Sequence, residues 1–256
     1  VDGRRRRLVD QMGKLRLRAP IAECIFRNCC TLSRHLISFH RGRLSAGTKQ
    51  HRMADTTRQQ FLQTARQLFA RKGFYGTSLA NIADELGLTK QALLHHFGCK
   101  EKLYAEILRG ISERMLAAVA AARAAHRNPA DQLEAILVTM YQASADDPLD
   151  TQIVIRELLE VEQRAGNIQN WYLRPFLDAL AAVMQELPGA HRLSQREALA
   201  LIYPTLGAMN YLVVSQVVLS EMYGADTYDY LSTRFPERLR HQVRELVISL
   251  ESACAD

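Results

Sequence analysis

Thr89, Lys90, Gln91 and Ala92 follow directly on Gly87-Leu88 as a row of short, polar or small side chains. A helix that must reach the edges of base pairs needs that composition at its N-terminus. Gln91 carries the amide for a bidentate pair with adenine, Ala92 a methyl to meet that of thymine, and Lys90 an ammonium for a guanine or a phosphate. Ser78 and Lys100 stand at the starts of flanking segments, where a hydroxyl or ammonium beside free helix N–H groups can hold phosphate. His95 and His96 are adjacent and so point about 100° apart on a helix, a poor chelate without partners at i+4. No metal site is assigned to them, and His95 is placed at the same nucleic-acid surface.

A second run, Asp146-Asp147-Pro148-Leu149-Asp150, has the DDxxD pattern by which all-α metal-dependent diphosphate enzymes hold magnesium. Such a site needs a facing cluster, and Asp229, Ser232 and Glu237 stand at the wrong offset to supply it. Asp147 as a cap, with Pro148 at the first helical position, explains the residues more simply. The chain has no Gly-rich phosphate loop, G-x-S-x-G elbow or H-E-x-x-H pair. No catalytic residue, metal or cofactor is therefore expected.

The elements that would position the first set are helices. Phe61, Leu62, Ala65, Leu68 and Phe69 form the buried stripe of an amphipathic helix that Gly73 stops. Ser78 caps a short helix with Leu79, Ile82, Ala83 and Leu86 inward; Gly87 ends it, and Thr89 caps the next. Two short helices around a glycine turn make a helix-turn-helix. No stretch of strict alternation demands a strand, so the protein is expected to be all-α.

The run from Gly73 to Leu103 resembles the DNA-binding domain of TetR-family transcriptional regulators. The Ile82-Ala83 pair, the Gly87 turn, the His96-Phe97 end and the Lys100-Glu101-x-Leu103 restart all fall at family spacing. The resemblance implies an N-terminal three-helix helix-turn-helix domain followed by an all-helical ligand-binding and dimerisation domain. It also implies a phosphate-gripping role for Lys100. Leu94 stands where the family usually has a tyrosine and cannot donate to a phosphate, which leaves that contact to His95 or His96.

Charge divides the chain. Residues 1–52 hold 13 Lys+Arg against 3 Asp+Glu, residues 53–108 hold 7 against 5, and residues 109–256 hold 13 against 19. Residues 1–52 show no sustained apolar period, and three readings stay open: a disordered tail, a basic arm for phosphates, or a leader before a start at Met53. Residues 53–100 are the helix-turn-helix domain and 101–256 the ligand-binding and dimerisation domain. The 5 cysteines contain no CxxC pair and no apolar signal segment opens the chain, which suits a reducing, cytoplasmic setting.

Beyond the helix-turn-helix, residues 101–125 read as a long helix that stops at Asn128-Pro129, and Leu133 to Tyr141 mark the next. A helix from Pro148 runs to about Gly166; Trp171, Phe176 and Met184 stripe another, kinked at Pro175. Ser194-Gln195-Arg196-Glu197 is a capping box ahead of the uncharged stretch Ala198 to Leu219. That length could span a bilayer, yet Pro204, Asn210 and Gln216 interrupt it and no basic flank accompanies it, so it reads as a covered helix of a protein without a membrane segment. Pro236 starts the final amphipathic helix. In the TetR-like pattern the helices 194–222 and 236–253 pair with their mates in a homodimer. Met140, Tyr141, Trp171, Phe176, Met184, Tyr203, Met209 and Tyr211 are candidates to line a pocket for a small-molecule effector, with Arg156 and Asn210 as polar anchors if buried.

The function expected is a ligand-responsive regulator, probing double-stranded operator DNA as a repressor that an apolar or amphipathic effector releases. A constitutive architectural DNA-binding protein is the alternative, but it leaves the acidic helical remainder without a task.

Overall fold

The computed structural model describes residues 47–160 and 171–255. Residues 1–46, most of the basic segment, lie outside the described residues. Those described fall within one compact unit, Leu44–Asp256, and form ten helices with no strand.

Helix α1 (Gly47–Lys72) opens ahead of Met53 and buries Phe61, Ala65, Leu68 and Phe69 along one face. It stops at Gly73, whose φ of 72° suits glycine and where a Cβ would meet Glu160 Oε1 at 2.6 Å. Helices α2 (Leu79–Asp84) and α3 (Lys90–Phe97) flank a turn through Gly87 at φ 62°. The long α4 (Lys100–Ala125) leads to α5 (Pro129–Asp146), which Asn128 caps through the Ala130 N–H. Then come α6 (Leu149–Glu160), α7 (Arg174–Gln185), α8 (Gln195–Val214), α9 (Gln216–Tyr223) and α10 (Ala225–Ala255). The expected extension of α6 toward Gly166 lies outside the described residues.

Three expectations about proline and helix ends are corrected. Pro175 does not kink a helix: it sits in the first turn of α7, where a missing N–H costs no hydrogen bond, and Trp171 precedes that helix. The span 194–222 is two helices, broken at Ser215, whose hydroxyl bonds back to the Tyr211 carbonyl and competes with the backbone ladder. Pro236 lies inside α10, not at its start. A proline there leaves the Ser232 carbonyl without its usual N–H, and the Tyr141 hydroxyl donates to that carbonyl at 3.0 Å.

Two apolar cores result. One gathers α1, α2 and α3 around Phe61, Phe69, Ile82 and Leu93, and continues through Ile107 and Ile111 of α4 to Ile153 and Val154 of α6. The other joins the far half of α4 with α5, α7, α8 and α10. Met115 of α4 packs against both, so the middle of α4 is shared by the two cores, while α6 packs in the first.

Candidate nucleic-acid interface and cavity

Both short helices of the helix-turn-helix are capped by the residues that the spacing singles out. Ser78 Oγ accepts from the Asn81 N–H at 3.0 Å while the Asn81 side chain returns to the Ser78 N–H, and Thr89 Oγ1 accepts from the Ala92 N–H at 3.2 Å. Lys90, Gln91 and His95 are exposed on α3, and Ala92 and Leu94 are half-buried. Leu93 and Phe97, fully inside, hold the opposite face down. His96 turns inward, its ring 5.9 Å from that of Phe61, which leaves His95 as the outward member of the pair.

Lys100 is not a free cation. Its ammonium donates to the Thr77 carbonyl at 2.8 Å and lies 4.2 Å from the centre of the Phe74 ring. Burial holds its pKa below the ordinary lysine range despite the neighbouring Glu101 and Glu160. Any grip on a phosphate would use the ammonium donors left over after this packing role.

The residues that sequence reasoning missed, Arg66 and Arg114, converge on the start of α6 from two other helices. Arg66 of α1 donates through Nε to Asp150 Oδ1 at 2.6 Å and through Nη1 to Asp147 Oδ2 at 2.7 Å. Arg114 of α4 closes on the other oxygen of Asp150 at 2.6 and 2.9 Å. Burial alone would raise the Asp147 carboxyl, but the bonds from Arg66 and the Leu149 N–H outweigh it and hold the group below its usual range. Farther along α6, Arg156, expected as a pocket anchor, donates to the carbonyls of Ala70 and Arg71 at 2.8 Å each and so caps the end of α1. The buried Tyr104 hydroxyl of α4 donates to Glu157 Oε2 at 2.8 Å. The DDxxD run was the visible signal: two of its three carboxylates, Asp147 and Asp150, serve arginines, and no cluster of metal-ligand type occurs among the described residues.

A cavity of about 440 Å³ opens beside this cluster, a size that suits a small organic molecule. Met140, Trp171, Phe176, Tyr203 and Met209 line it together with Asn210, and Arg66, Arg114, Asp147 and Asp150 form its charged end. Three candidates lie elsewhere. Tyr141 packs in the second core against Phe235, where burial pushes its hydroxyl up to about 12. Met184 is fully buried in that core, two turns farther along α7 than the Leu177 that lines the cavity. Tyr211 is 73% exposed, because the helical period carries it outward from the wall that Met209 and Asn210 form.

Residues 61–107 match the family model described as bacterial regulatory proteins, tetR family. The chain carries a TetR-family DNA-binding domain. The transcriptional repressor KstR2 of Rhodococcus jostii (strain RHA1) is 35% identical over 86 residues, 34% of this chain and 42% of KstR2. The transcriptional regulator RutR of Escherichia coli (strain K12) is 30% identical over 118 residues, 46% of this chain and 55% of RutR. The chain thus spans about half the length of the curated relatives it matches. At the level of fold the TetR likeness runs farther: the structure of the ketosteroid transcriptional regulator KstR2 of Mycobacterium tuberculosis aligns with a TM-score of 0.54 at 18% identity, covering 72% of this chain and 93% of that one. These TetR-like relatives are named as regulators, not as enzymes.

Proposed function

We propose that the chain is a cytoplasmic transcriptional repressor that binds operator DNA as a homodimer and leaves it when a small apolar or amphipathic effector fills the cavity. The observation that carries the reading is Arg66: it belongs to α1, which packs on the recognition helix α3, and it also lines the cavity. An occupant there is one side chain away from the DNA-facing domain. Gln91, Ala92 and Lys90 read bases; Ser78, Thr89, His95 and Lys100 meet the phosphates, and Leu94 supports the helix between them. The working division is 1–52 as an extension, 53–100 as the DNA-binding domain and 101–256 as the effector and dimer domain.

The dimer reading draws on α8 to α10. Within a single chain only 28% of the most apolar window of α8 is buried, and this is the one described helix long and apolar enough to cross a membrane. Tyr211, Val217, Met222, Tyr223 and Tyr230 are left exposed on α8, α9 and α10. A twofold mate laid on 194–222 and 236–253 covers that face and sets two recognition helices about 34 Å apart, one turn of DNA. An effector shifts this spacing only as far as it prefers one conformer over the other. Both α4, which begins at Lys100 and runs to the cavity, and α6 are levers for that shift.

Selection of duplexes from a random pool by the full-length chain, at fixed salt, tests the reading. Enrichment of a two-fold symmetric motif, bound by two chains or by four, is the expected result. Retention that is indifferent to sequence would point instead to an architectural protein and overturn the repressor.

A further inference from the structure

We propose that the effector is an amphipathic acid, whose anionic head takes donors from Arg66 and Arg114 in competition with Asp147 and Asp150. This rests on the cavity being the effector site. The cavity is largely apolar and its charges lie together at one end, so an occupant needs an apolar body and a single polar head. The sign of that head follows from which valences are already used. All four oxygens of Asp147 and Asp150 accept hydrogen bonds, from the two arginines and from the Leu149 N–H. The arginines have capacity left: Nη2 of Arg66 and Nη1 of Arg114 have no acceptor among the described residues. Five of the about eight acceptor sites on the two carboxylates are taken, whereas six of the ten guanidinium N–H groups have no acceptor among the described residues, so the unused capacity of the charged end is mostly donors, and a carboxylate is the head group that a guanidinium fork receives best.

The same geometry makes the acid a competitor. A ligand carboxylate seated on the spare donors of Arg66 shares its positive charge with Asp147 and Asp150 and so weakens their hold, and that pair of aspartates ties α1 to the start of α6. The head group therefore loosens the DNA-facing domain from the cavity wall, whereas a neutral occupant of the same body leaves the ion pairs in place.

Trp171 is the chain's only tryptophan, so its emission reports occupancy in the full-length protein. Decanoate, 1-decanol and decylamine, titrated below their micellar concentrations near neutral pH, share one body and differ in the head. Decanoate is expected to bind about tenfold more tightly than either of the others. Arg114→Gln should erase its advantage over decanol, and Asp150→Asn, which removes the competing carboxylate, should enlarge it; the decanol titration of each variant reports whether the cavity is folded. Equal binding of all three probes, or preference for decylamine, overturns the acid and leaves the effector cavity standing. Failure of all three to change either the emission or the melting temperature overturns the cavity as an effector site and the acid with it.

Discussion

The helix-turn-helix and the cavity region are built from the same kind of helix, yet they draw their order from different ranges of the chain. In the first, Gly73, Ser78, Gly87 and Thr89 act on backbone groups within a few residues of themselves. In the second, the groups that matter meet across long separations: Arg66 with Asp147 and Asp150, Arg156 with Ala70, Tyr141 with Ser232. A local rule therefore locates the helix-turn-helix, while the ion pairs beside the cavity depend on tertiary partners. The two regions also share a core through α6, which makes them separable in sequence and joined in energy.

The strongest way to break that comparison is to hollow the first region. Phe61 is fully buried between α1 and α3, so Phe61→Ala removes a ring with no room to collapse and should cost about 3–5 kcal/mol in denaturant unfolding. Because Ile153 and Val154 pack in the same core, hydrogen exchange should show α6 losing protection together with α1. If α6 kept its protection, the two regions would be independent.

Arg66→Leu cuts the link without hollowing anything. It leaves the partly buried Asp150 and the exposed Asp147 short of their donor and should cost about 1 kcal/mol. The sign of the pH dependence follows from Asp147, whose folded pKa is depressed chiefly by the Arg66 hydrogen bond against the cost of burial. Its contribution is present above the ordinary carboxylate value of about 4 and is lost as pH falls through the lower folded value. Unfolding curves taken down through that window should therefore fall for the parent chain and run flatter for Arg66→Leu.

These long-range pairs mark where the sequence stops being legible. The all-α class, the caps Ser78, Thr89 and Ser194, and the glycine stops could be read because each is a short-range bond between a side chain and nearby backbone. Of the pocket candidates, Met140, Trp171, Phe176, Tyr203 and Met209 share the cavity, but Tyr141 lies on another face of its helix than Met140, and Met184 two turns beyond the part of α7 that lines the cavity. Periodicity marks a buried face and cannot say which neighbour covers it. The same blindness hid Arg66 and Arg114: a lone arginine beside an apolar stripe looks like any solvated charge until the aspartates of another helix are brought to it.

On the DNA side the comparison sharpens into a division between two exposed-looking polar residues. On the proposed reading, Gln91→Ala should relax preference at one base pair of each half-site by roughly 1–2 kcal/mol while sparing stability, since Gln91 stands free on α3. Lys100→Met should weaken all sequences alike and also lower the melting temperature, because the ammonium is bonded to Thr77 and stacked on Phe74. Competition binding to a panel of duplexes, with melting curves of the same variants, separates the two. Identical profiles would dissolve the division.

The smallest effect tests whether a local rule was overruled by a distant partner. Pro236 looks like a helix start, yet α10 runs through it, and the carbonyl it orphans at Ser232 is taken by Tyr141. Tyr141→Phe should leave that carbonyl unsatisfied and cost about 1 kcal/mol. Pro236→Ala restores an N–H at the position one helical turn beyond Ser232, so in its background the hydroxyl has less to do and Tyr141→Phe should cost less. A double-mutant cycle read by urea unfolding is expected to show coupling of about 0.5–1 kcal/mol. Additivity within error would mean that water already satisfies Ser232 and that α10 tolerates its proline through packing alone, with Phe235 against Tyr141 as the contact that remains.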